Sequence, residues 1–268
     1  MIKKAVILAA GLGTRFLPVT KSIPKEMLPI GTKPCIQYLV EEAIKSGIKE
    51  IIIVTNKNKP SIKEYFTSNT TLYKTLKTKK KNSELKQLKD LDKLNIKFAY
   101  QPSQLGDGHA ILCAKHLIAK EPIAVLFGDD IYDSTIPTLK QMLALYNKVK
   151  SPVIGLTRIQ KKDSKKYGII APKNSKGKIH EIQALIEKPT PNNAPSNLAI
   201  VGKYIITPEL LNSLSKTKSH TKDKELRLID GMIALLKKGK PIFGLELSGK
   251  RFDTGEKNGY MEAVKHFA

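Results

Sequence analysis

The N-terminal stretch that decides the fold of this chain reads Ala5-Val6-Ile7-Leu8-Ala9-Ala10-Gly11-Leu12-Gly13-Thr14-Arg15. Its first six residues form a short apolar run, which is typical of a buried strand, and the run leads into a glycine loop. Glycine at positions 11 and 13 allows a positive φ, and it lets backbone N–H groups approach an anion without a Cβ between them. Arg15 adds a planar fork of donors, and Lys21 and Lys25 follow as compact positive charges. The segment therefore predicts a strand that leads into a polyphosphate-binding loop.

The glycine loop matches neither of the two commonest phosphate-binding motifs. It lacks the third glycine of G-x-G-x-x-G, and the chain contains no G-x-x-x-x-G-K-[ST]. A lone G-x-G is also compatible with an ordinary strand-to-loop turn. The loop residues alone leave both interpretations open, and the three basic residues that follow favour phosphate binding.

Alternating apolar runs and helical patterns predict an α/β fold, with a Rossmann-like, mostly parallel sheet flanked by helices. A smaller β-rich excursion follows in the second half, where Asn174-Ser175-Lys176-Gly177 predicts a hairpin turn. The runs that predict buried strands in the first half lie at 5–10, 51–55, 96–100 and 123–127, and the helical patterns lie near 34–46, 60–90 and 107–119. The short strand-like runs of the second half lie at 152–157, 168–171, 179–182 and 198–201.

Two carboxylates, Asp129 and Asp130, follow Gly128 directly after the apolar run at 123–127. Ligands of open parallel sheets bind outside the carboxyl ends of the strands, so this pair is expected at the same edge as the glycine loop. Carboxylates beside phosphates imply a divalent metal, and Mg²⁺ is the natural candidate because one or two carboxylates plus substrate phosphates usually hold it. For Asp130, a loop-capping role is an equally good interpretation.

The formal net charge of +23 raises the hypothesis of a nucleic-acid-binding protein. Arginine accounts for only four of the 47 basic residues, and the lysines are spread along the chain instead of forming an arginine-rich tract with interleaved aromatics. The lysine-rich segment 74–97 is polar and helical in propensity, which favours a solvated insertion. We therefore expect no nucleic-acid partner, and a non-catalytic nucleic-acid-binding protein remains the alternative of a different class.

Length, hydropathy and cysteine content bound the remaining possibilities. At 268 residues the chain is near the upper size of a single hydrophobic core, roughly 250–300 residues, so we expect one domain over 1–268. No apolar stretch reaches about 18 residues, and Met1-Ile2-Lys3-Lys4 leaves no room for a cleavable signal, so we expect a cytoplasmic protein with no membrane partner. Cys35 and Cys113 form no C-x-x-C pair and lack an adjacent histidine, which predicts small buried hydrophobes.

Motifs spread along the whole chain resemble those of a known family. The segments 8–15 and Pro24-Lys25-Glu26-Met27-Leu28-Pro29 are joined by Phe127-Gly128-Asp129-Asp130, Glu187-Lys188-Pro189 and Phe252-Asp253-Thr254-Gly255. Together they resemble the sugar-phosphate nucleotidyltransferases, and among these the bacterial UTP:glucose-1-phosphate uridylyltransferases.

The resemblance implies a reaction and an organisation. The reaction is a Mg²⁺-assisted attack of glucose 1-phosphate on UTP that gives UDP-glucose and pyrophosphate, and a thymidylyltransferase acting on another sugar 1-phosphate is the alternative. The single domain would comprise a nucleotide-binding half at about 1–150, a sugar-phosphate-binding part at about 151–255 and a C-terminal helix at 256–268. The resemblance further implies a homodimer or homotetramer.

Site residues carry over onto the matching positions. Glu187 could accept hydrogen bonds from two sugar hydroxyls and Lys188 could meet a phosphate, although Glu-Lys-Pro is otherwise an ordinary surface tripeptide. The resemblance assigns Asp129 and Asp253 to the metal, and Arg15, Lys25 and Lys188 to catalysis. It assigns Ala10, Gly11, Gly13, Thr14, Arg15, Glu26, Gln101 and Gly106 to the nucleotide, and Tyr167, Gly168, Glu187, Lys188, Val201 and Gly202 to the sugar.

The chain departs from the family pattern in the segment Glu225-Leu226-Arg227-Leu228-Ile229-Asp230, where the family usually reads Glu-Ile-Gln-Leu-Thr-Asp. It also has Gly31-Thr32-Lys33-Pro34 in place of Val-Asp-Lys-Pro, and Thr254 where cysteine is frequent. These departures bear on sugar specificity and assembly more than on the reaction.

Overall fold

The computed structural model describes residues 2–218 and 224–268 as an α/β structure. The strands are β1 Lys4–Leu8, β2 Pro29–Ile30, β3 Lys33–Pro34, β4 Glu50–Thr55, β5 Ile96–Tyr100, β6 Ile123–Phe127, β7 Asp130–Asp133, β8 Val153–Arg158, β9 Gly168–Lys176, β10 Ile179–Glu187, β11 Leu198–Ile206, β12 Phe243–Glu246 and β13 Lys250–Asp253. The helices are α1 Cys35–Lys45, α2 Pro60–Tyr65, α3 Thr70–Thr78, α4 Asn82–Asp92, α5 Asp107–Cys113, α6 Lys115–Ile118, α7 Thr138–Val149, α8 Pro208–Lys216, α9 Leu228–Leu236 and α10 Lys257–Phe267.

A nine-stranded sheet in the order β5-β4-β1-β6-β11-β8-β12-β10-β9 forms the centre of the fold. The four strands of the first half pair in parallel, and the predicted α/β fold is confirmed. The strands of the second half extend the same sheet, because β11 pairs antiparallel with both β6 and β8. The predicted hairpin joins β9 to β10, and Gly177 adopts the left-handed φ of 58° that its turn requires.

The sheet is buried on both faces, as expected for parallel strands covered by helices. On β1, Val6 belongs to an apolar cluster that includes Ile111 of α5, whereas Ile7 belongs to a second cluster that includes Leu39 of α1. The long helical pattern at 60–90 divides into the short α2 and the longer helices α3 and α4. Both α3 and α4 belong to the polar exterior. The side chain of Asn69 starts α3 by accepting a hydrogen bond from the N–H of Leu72, so a capping residue inside the pattern explains one of the breaks.

The structure confirms one of the two cysteine predictions. Cys35 is fully buried at the start of α1, where burial raises the pKa of its thiol to about 12. Cys113 is only half-buried, and its Sγ lies 3.9 Å from both ring nitrogens of His109. The prediction that Cys113 is a small buried hydrophobe is therefore wrong. The spacing of four residues places His109 on the same face of the helical region, where it contacts the thiol. In the described ranges, no helix combines the length and the apolarity needed to cross a bilayer.

A buried ion pair joins α1 to the central strand β11. The Lys203 side chain has 0% exposure, and its Nζ donates to Glu42 Oε2 at 2.6 Å. The other oxygen of Glu42 accepts hydrogen bonds from the Thr138 hydroxyl and, at 2.9 Å, from the Leu139 N–H at the start of α7. This carboxylate therefore fixes two helices against the sheet.

Replacing Lys203 with methionine should lower the free energy of unfolding by about 3–5 kcal/mol, because Glu42 would remain as an uncompensated buried charge. Urea unfolding followed by circular dichroism measures the change. Lys93→Met removes a largely exposed ammonium that pairs with Asp90 on the surface, and it should leave the midpoint unchanged. A Lys203→Met midpoint equal to that of Lys93→Met would contradict the structural role of the buried pair.

Candidate active site

The glycine loop and the end of β6 meet at the carboxyl edge of the parallel strands, as the sequence predicts. The Gly128 N–H donates to the carbonyl of Leu8 at 2.9 Å, which holds the two strand ends together. Between them lies a cavity of about 370 Å³, called here the nucleotide cavity. Its lining includes Ala10, Gly11, Gly13, Thr14, Glu26, Gln101 and Gly106, which are all the nucleotide residues expected from the sequence except Arg15.

The loop uses only one of its two glycines for an unusual backbone conformation. Gly13 has a φ of 69°, and its carbonyl accepts a hydrogen bond from Thr20 Oγ1 at 2.8 Å. Gly11 does not adopt the positive φ that its residue type allows, and a Cβ there would meet no atom within 4 Å. Lys21 is exposed, and it lines neither the nucleotide cavity nor the cavity that adjoins it. Its predicted place beside a triphosphate is therefore not found.

Gln101 and Gly106 are joined on the far side of the nucleotide cavity. The Gln101 side-chain amide donates to the Gly106 carbonyl at 2.9 Å, and Gly106 has a φ of 97°. The close approach of Leu226 requires this glycine, because a Cβ at position 106 would overlap the Leu226 carbonyl oxygen. The Leu226 N–H also donates to the Leu105 carbonyl at 2.8 Å. The departing segment 225–230 is therefore attached directly to the nucleotide-side loop.

A second cavity of about 320 Å³, called here the sugar cavity, adjoins the first. Its wall includes Asp129, which also lines the nucleotide cavity, together with Asp253. The two cavities therefore adjoin each other, and Asp129 lies in the wall of both. All the sugar residues expected from the sequence, Tyr167, Gly168, Glu187, Lys188, Val201 and Gly202, lie in this wall.

The carboxylates of Asp129 and Asp253 converge above Gly255. A Cβ at Gly255 would lie 2.5 Å from Asp129 Oδ2 and 3.3 Å from Asp253 Oδ1, so a side chain at this position would fill the space between them. Thr254 fixes the arrangement, because its N–H and hydroxyl donate to the Asp129 carbonyl at 2.8 and 2.9 Å. Two convergent carboxylate oxygens fit a hard divalent cation that takes its other ligands from phosphate and water.

The charges around these carboxylates are partly neutralised by the protein. Lys25 Nζ donates to Asp129 Oδ2, and although burial raises the pKa of Asp129, this ammonium outweighs it and holds the pKa below its usual range. Burial raises the pKa of Asp253, and the neighbouring charges of Asp129 and Asp130 raise it further. In the part of the chain that the structure describes, no group of three or more His, Cys, Asp or Glu side chains is arranged to hold an ion. The two carboxylates would therefore need substrate phosphate to complete a metal site.

Asp130 is held by Arg251 and Gly202, and it forms part of the wall of the sugar cavity. Its Oδ1 accepts from Arg251 Nε at 2.9 Å, and its Oδ2 accepts from the Gly202 N–H at 2.6 Å. Gly202 itself packs tightly, since a Cβ there would lie 2.6 Å from the Cβ of Phe127. Of the interpretations left open by the sequence, the structure favours an anchoring role for Asp130.

Two of the expected catalytic cations lie at the mouth of the sugar cavity. The Arg15 side chain is 63% exposed, and its Nε lies 3.2 Å from Glu256 Oε1. The Lys188 side chain is 54% exposed, and its Nζ lies 3.7 Å from Glu187 Oε1. Lys188 also has a φ of 46°, a strained conformation for a residue with a side chain, and its N–H donates to the Tyr167 carbonyl at 3.2 Å. Both side chains can therefore reach an incoming phosphate without leaving a buried partner.

Arg251, Asp107 and Lys59 are among the further charged residues that the structure brings to the site and that the sequence did not predict. Arg251 joins Asp130 to Asp253, with Nη2 3.4 Å from Asp253 Oδ2. Asp107 lines both cavities, and burial raises its pKa to about 6, while its Oδ1 accepts from the Leu228 N–H at 2.6 Å. Lys59 is buried against the glycine loop and Glu26. The only sequence signal for Lys59 is its position after β4, at the same edge of the sheet.

Comparisons with known proteins agree with this geometry. The family model described as "Nucleotidyl transferase" matches residues 4–268. The UTP--glucose-1-phosphate uridylyltransferase YngB of Bacillus subtilis (strain 168) is 44% identical over 98% of this chain and 88% of its own length. A UDP-glucose pyrophosphorylase complexed with UDP-glucose superposes with a TM-score of 0.90 at 40% identity, covering 100% of this chain and 98% of that chain.

A third relative gives the same result. A UTP-bound UGPase from Acinetobacter baumannii has a TM-score of 0.91 at 37% identity, covering 100% of this chain and 93% of that chain. Similarity of this extent covers the glycine loop, both cavities and the carboxylate pair alike. The chain therefore belongs to the nucleotidyl transferase family.

Proposed function

We propose that the protein transfers a uridylyl group from UTP to glucose 1-phosphate, giving UDP-glucose and pyrophosphate. The observation that carries this proposal is the meeting of two substrate-sized cavities at Asp129, beside Asp253 and Lys25. The reaction needs two anionic substrates next to each other, and this arrangement provides a place for each. The relatives at 37–44% identity, whose names specify UTP and UDP-glucose, support the choice of substrates.

In this proposal the nucleotide cavity binds UTP. The backbone at Ala10 and Gly11, with Gln101 and Gly106, contacts the uracil, and Glu26 contacts the nucleoside. Gly13, Thr14 and Arg15 face the phosphates. The backbone positions and the amide of Gln101 offer both donors and acceptors, which is the chemistry that a pyrimidine edge requires.

The sugar cavity binds glucose 1-phosphate. Glu187 accepts hydrogen bonds from the glucose hydroxyls, and Lys188 next to it contacts the phosphate. Tyr167, Gly168, Val201 and Gly202 shape the rest of the wall. This arrangement points the phosphate of the sugar toward Asp129, where the two cavities meet.

Asp129 and Asp253 would hold Mg²⁺, together with phosphate oxygens of the nucleotide. The ion would supply neutralisation of the charge that develops on the α-phosphate. The fit rests on the carboxylate cradle above Gly255, which is open because this position has no side chain.

The residues of the chain position and neutralise the two substrates. A phosphate oxygen of glucose 1-phosphate forms a bond to the α-phosphorus of UTP, and the bond from that phosphorus to the oxygen that bridges the α- and β-phosphates breaks in line, so that this oxygen leaves with pyrophosphate. The attacking group is already an anion, so no general base is required. Lys25 faces the transferred group, Arg15 offsets charge on the phosphates of the nucleotide, and Lys188 offsets charge on the phosphate of glucose 1-phosphate.

We also propose the wider organisation that the sequence predicts. The chain acts as one domain, with residues of about 1–150 serving the nucleotide and of about 151–255 serving the sugar phosphate, while 256–268 forms the C-terminal helix. The protein is cytoplasmic, assembles as a homodimer or homotetramer and has neither a nucleic-acid nor a membrane partner. The size of the purified protein by light scattering tests the assembly.

The substrate assignment predicts the outcome of a pyrophosphate-release assay over a grid of nucleotides and sugar 1-phosphates. UTP with glucose 1-phosphate should give the highest kcat/KM. Discrimination against dTTP rests on one methyl group and should amount to about 10–200-fold. Faster release with dTTP or with another sugar 1-phosphate would identify a sister nucleotidyltransferase. Salt-dependent duplex binding without any pyrophosphate release would favour the nucleic-acid-binding alternative.

Asp129→Ala and Lys25→Ala should each lower kcat by about 10²-fold or more, because each removes a preorganised charge beside the α-phosphate. Initial rates at saturating UTP, glucose 1-phosphate and Mg²⁺ measure the effect. Asp133→Ala is the matched control, since Asp133 lies at the other end of β7 and pairs with His266. Near-normal turnover of Asp129→Ala with Mg²⁺ would refute the metal assignment.

Glu187→Gln should raise the KM for glucose 1-phosphate and leave the KM for UTP nearly unchanged, because the carboxylate lines only the sugar cavity. Loss of hydrogen bonds to a charged group is expected to cost about 10-fold or more. Glu181→Gln provides the control, because Glu181 lies on the same strand and pairs with Lys173 on the surface. Equal changes in the two KM values would argue against a sugar-side role for Glu187.

A further inference from the structure

Lys59 is a buried lysine that the proposed roles leave without a function. It lies in the loop between β4 and α2, directly before Pro60, and is only 9% exposed. A buried ammonium is costly unless each of its donors has a partner. Lys59 Nζ has three partners, the carbonyls of Ala9 and Gly11 and the carboxylate of Glu26, with the Ala9 oxygen at 3.0 Å and Glu26 Oε2 at 2.9 Å.

The two carbonyls belong to the segment that begins the glycine loop. In a trans peptide unit the C=O and the following N–H point in opposite directions. Since the Ala9 and Gly11 carbonyls face Lys59, the N–H groups of Ala10 and Leu12 point away from it. Both residues line the nucleotide cavity. One ammonium thus fixes the orientation of two donor groups, one on each side of Gly11, in residues that line that cavity.

The carboxylate partner connects Lys59 to the opposite wall. Glu26 lies on the short 3₁₀ turn Lys25–Met27, so the residue that faces Asp129 and the residue that binds Lys59 are neighbours. Glu26 is 1% exposed, and its Oε1 is buried without a hydrogen-bond partner among the described residues. Because Glu26 lines the nucleotide cavity, this oxygen suits a donor group of a nucleoside, such as a ribose hydroxyl.

We propose that Lys59 is a positioning residue for the nucleotide, which sets the donors of the glycine loop and the acceptor of Glu26 in one fixed geometry. This inference rests on the proposed function, because it takes the ligand of the cavity to be UTP. Lys59 does not itself line the nucleotide cavity, so its effect on the nucleotide passes through the Ala9 and Gly11 carbonyls and through Glu26. The sugar cavity does not include Lys59 or its partners either.

The simpler alternative is that Lys59 only neutralises Glu26. The two explanations differ in a background where Glu26 carries no charge. If Lys59 serves only to neutralise Glu26, removing the lysine from a Glu26→Gln protein should not change nucleotide binding further. If Lys59 also orients the loop carbonyls, its removal should still weaken binding, because the contacts to Ala9 and Gly11 are independent of the charge on Glu26.

The test measures UTP binding by isothermal titration calorimetry, with KM values for both substrates and thermal unfolding alongside. Lys59→Met should raise the dissociation constant of UTP by about 10-fold or more, as expected for the loss of hydrogen bonds to a charged group. The same replacement should raise it again in the Glu26→Gln background. The KM for glucose 1-phosphate should change little in either background.

Lys63→Met is the matched control, because Lys63 lies on α2 with an exposed side chain. An equal loss of UTP affinity in Lys63→Met would show that the effect comes only from the loss of one positive charge, and it would contradict the inference. The inference would also be overturned by unchanged UTP affinity of Lys59→Met in the Glu26→Gln background, or by equal rises in both KM values.

If the parent protein binds no UTP, the proposed function fails; if the parent binds UTP and Lys59→Met binds it equally well, only this inference fails. If Lys59→Met alone unfolds, the test still stands, because the double variant of Lys59→Met with Glu26→Gln leaves no unpaired buried charge and can be compared with Glu26→Gln.

Discussion

Mutual repulsion among carboxylates is the constraint on which the site depends. Asp129, Asp130 and Asp253 are brought to one sheet edge by the end of β6 and by the pairing of β7 with β13. Gathering like charges in a partly buried site is unfavourable unless cations lie among them. Arg251 lies against Asp130 and Asp253, and Lys25 lies against Asp129. The positions of these two cations follow from the need to hold three carboxylates in one place.

The same group of charges lies where the two cavities adjoin. Asp130 is fully engaged by Arg251 and by the Gly202 N–H, so it fixes the wall of the sugar cavity. Asp129 lines both cavities, and its Oδ2 accepts a hydrogen bond from Lys25, which lines only the nucleotide cavity of the two. A divalent ion between Asp129 and Asp253 would relieve the remaining repulsion, and it would draw the phosphates of both substrates to the same point. The geometry that neutralises the three carboxylates is thus also the geometry that the transfer reaction requires.

Much of this arrangement could be predicted from the sequence, because it depends on local pattern. The strands of the first half, the hairpin at Gly177 and the edge shared by the glycine loop and Asp129 follow from apolar runs and turn residues. The roles of Lys59 and Arg251 could not be predicted, because Glu26 lies 33 positions from Lys59 and Asp130 lies 121 positions from Arg251. A G-x-G pattern does not show which of its glycines adopts a positive φ, and in this loop it is Gly13. The division of the helical pattern at 60–90 depends in part on the Asn69 cap at the start of α3, which the helical pattern itself does not reveal.

The central claim is that Asp129 and Asp253 together bind the divalent ion at the junction of the two cavities. Anomalous diffraction from Mn²⁺ in crystals of the protein with UDP-glucose tests this most directly, because Mn²⁺ substitutes for Mg²⁺ at oxygen sites. The account predicts one strong peak in the cradle above Gly255, within coordination distance of both carboxylates and of a phosphate oxygen of UDP-glucose. A peak elsewhere, or bound UDP-glucose with no peak between Asp129 and Asp253, would contradict it.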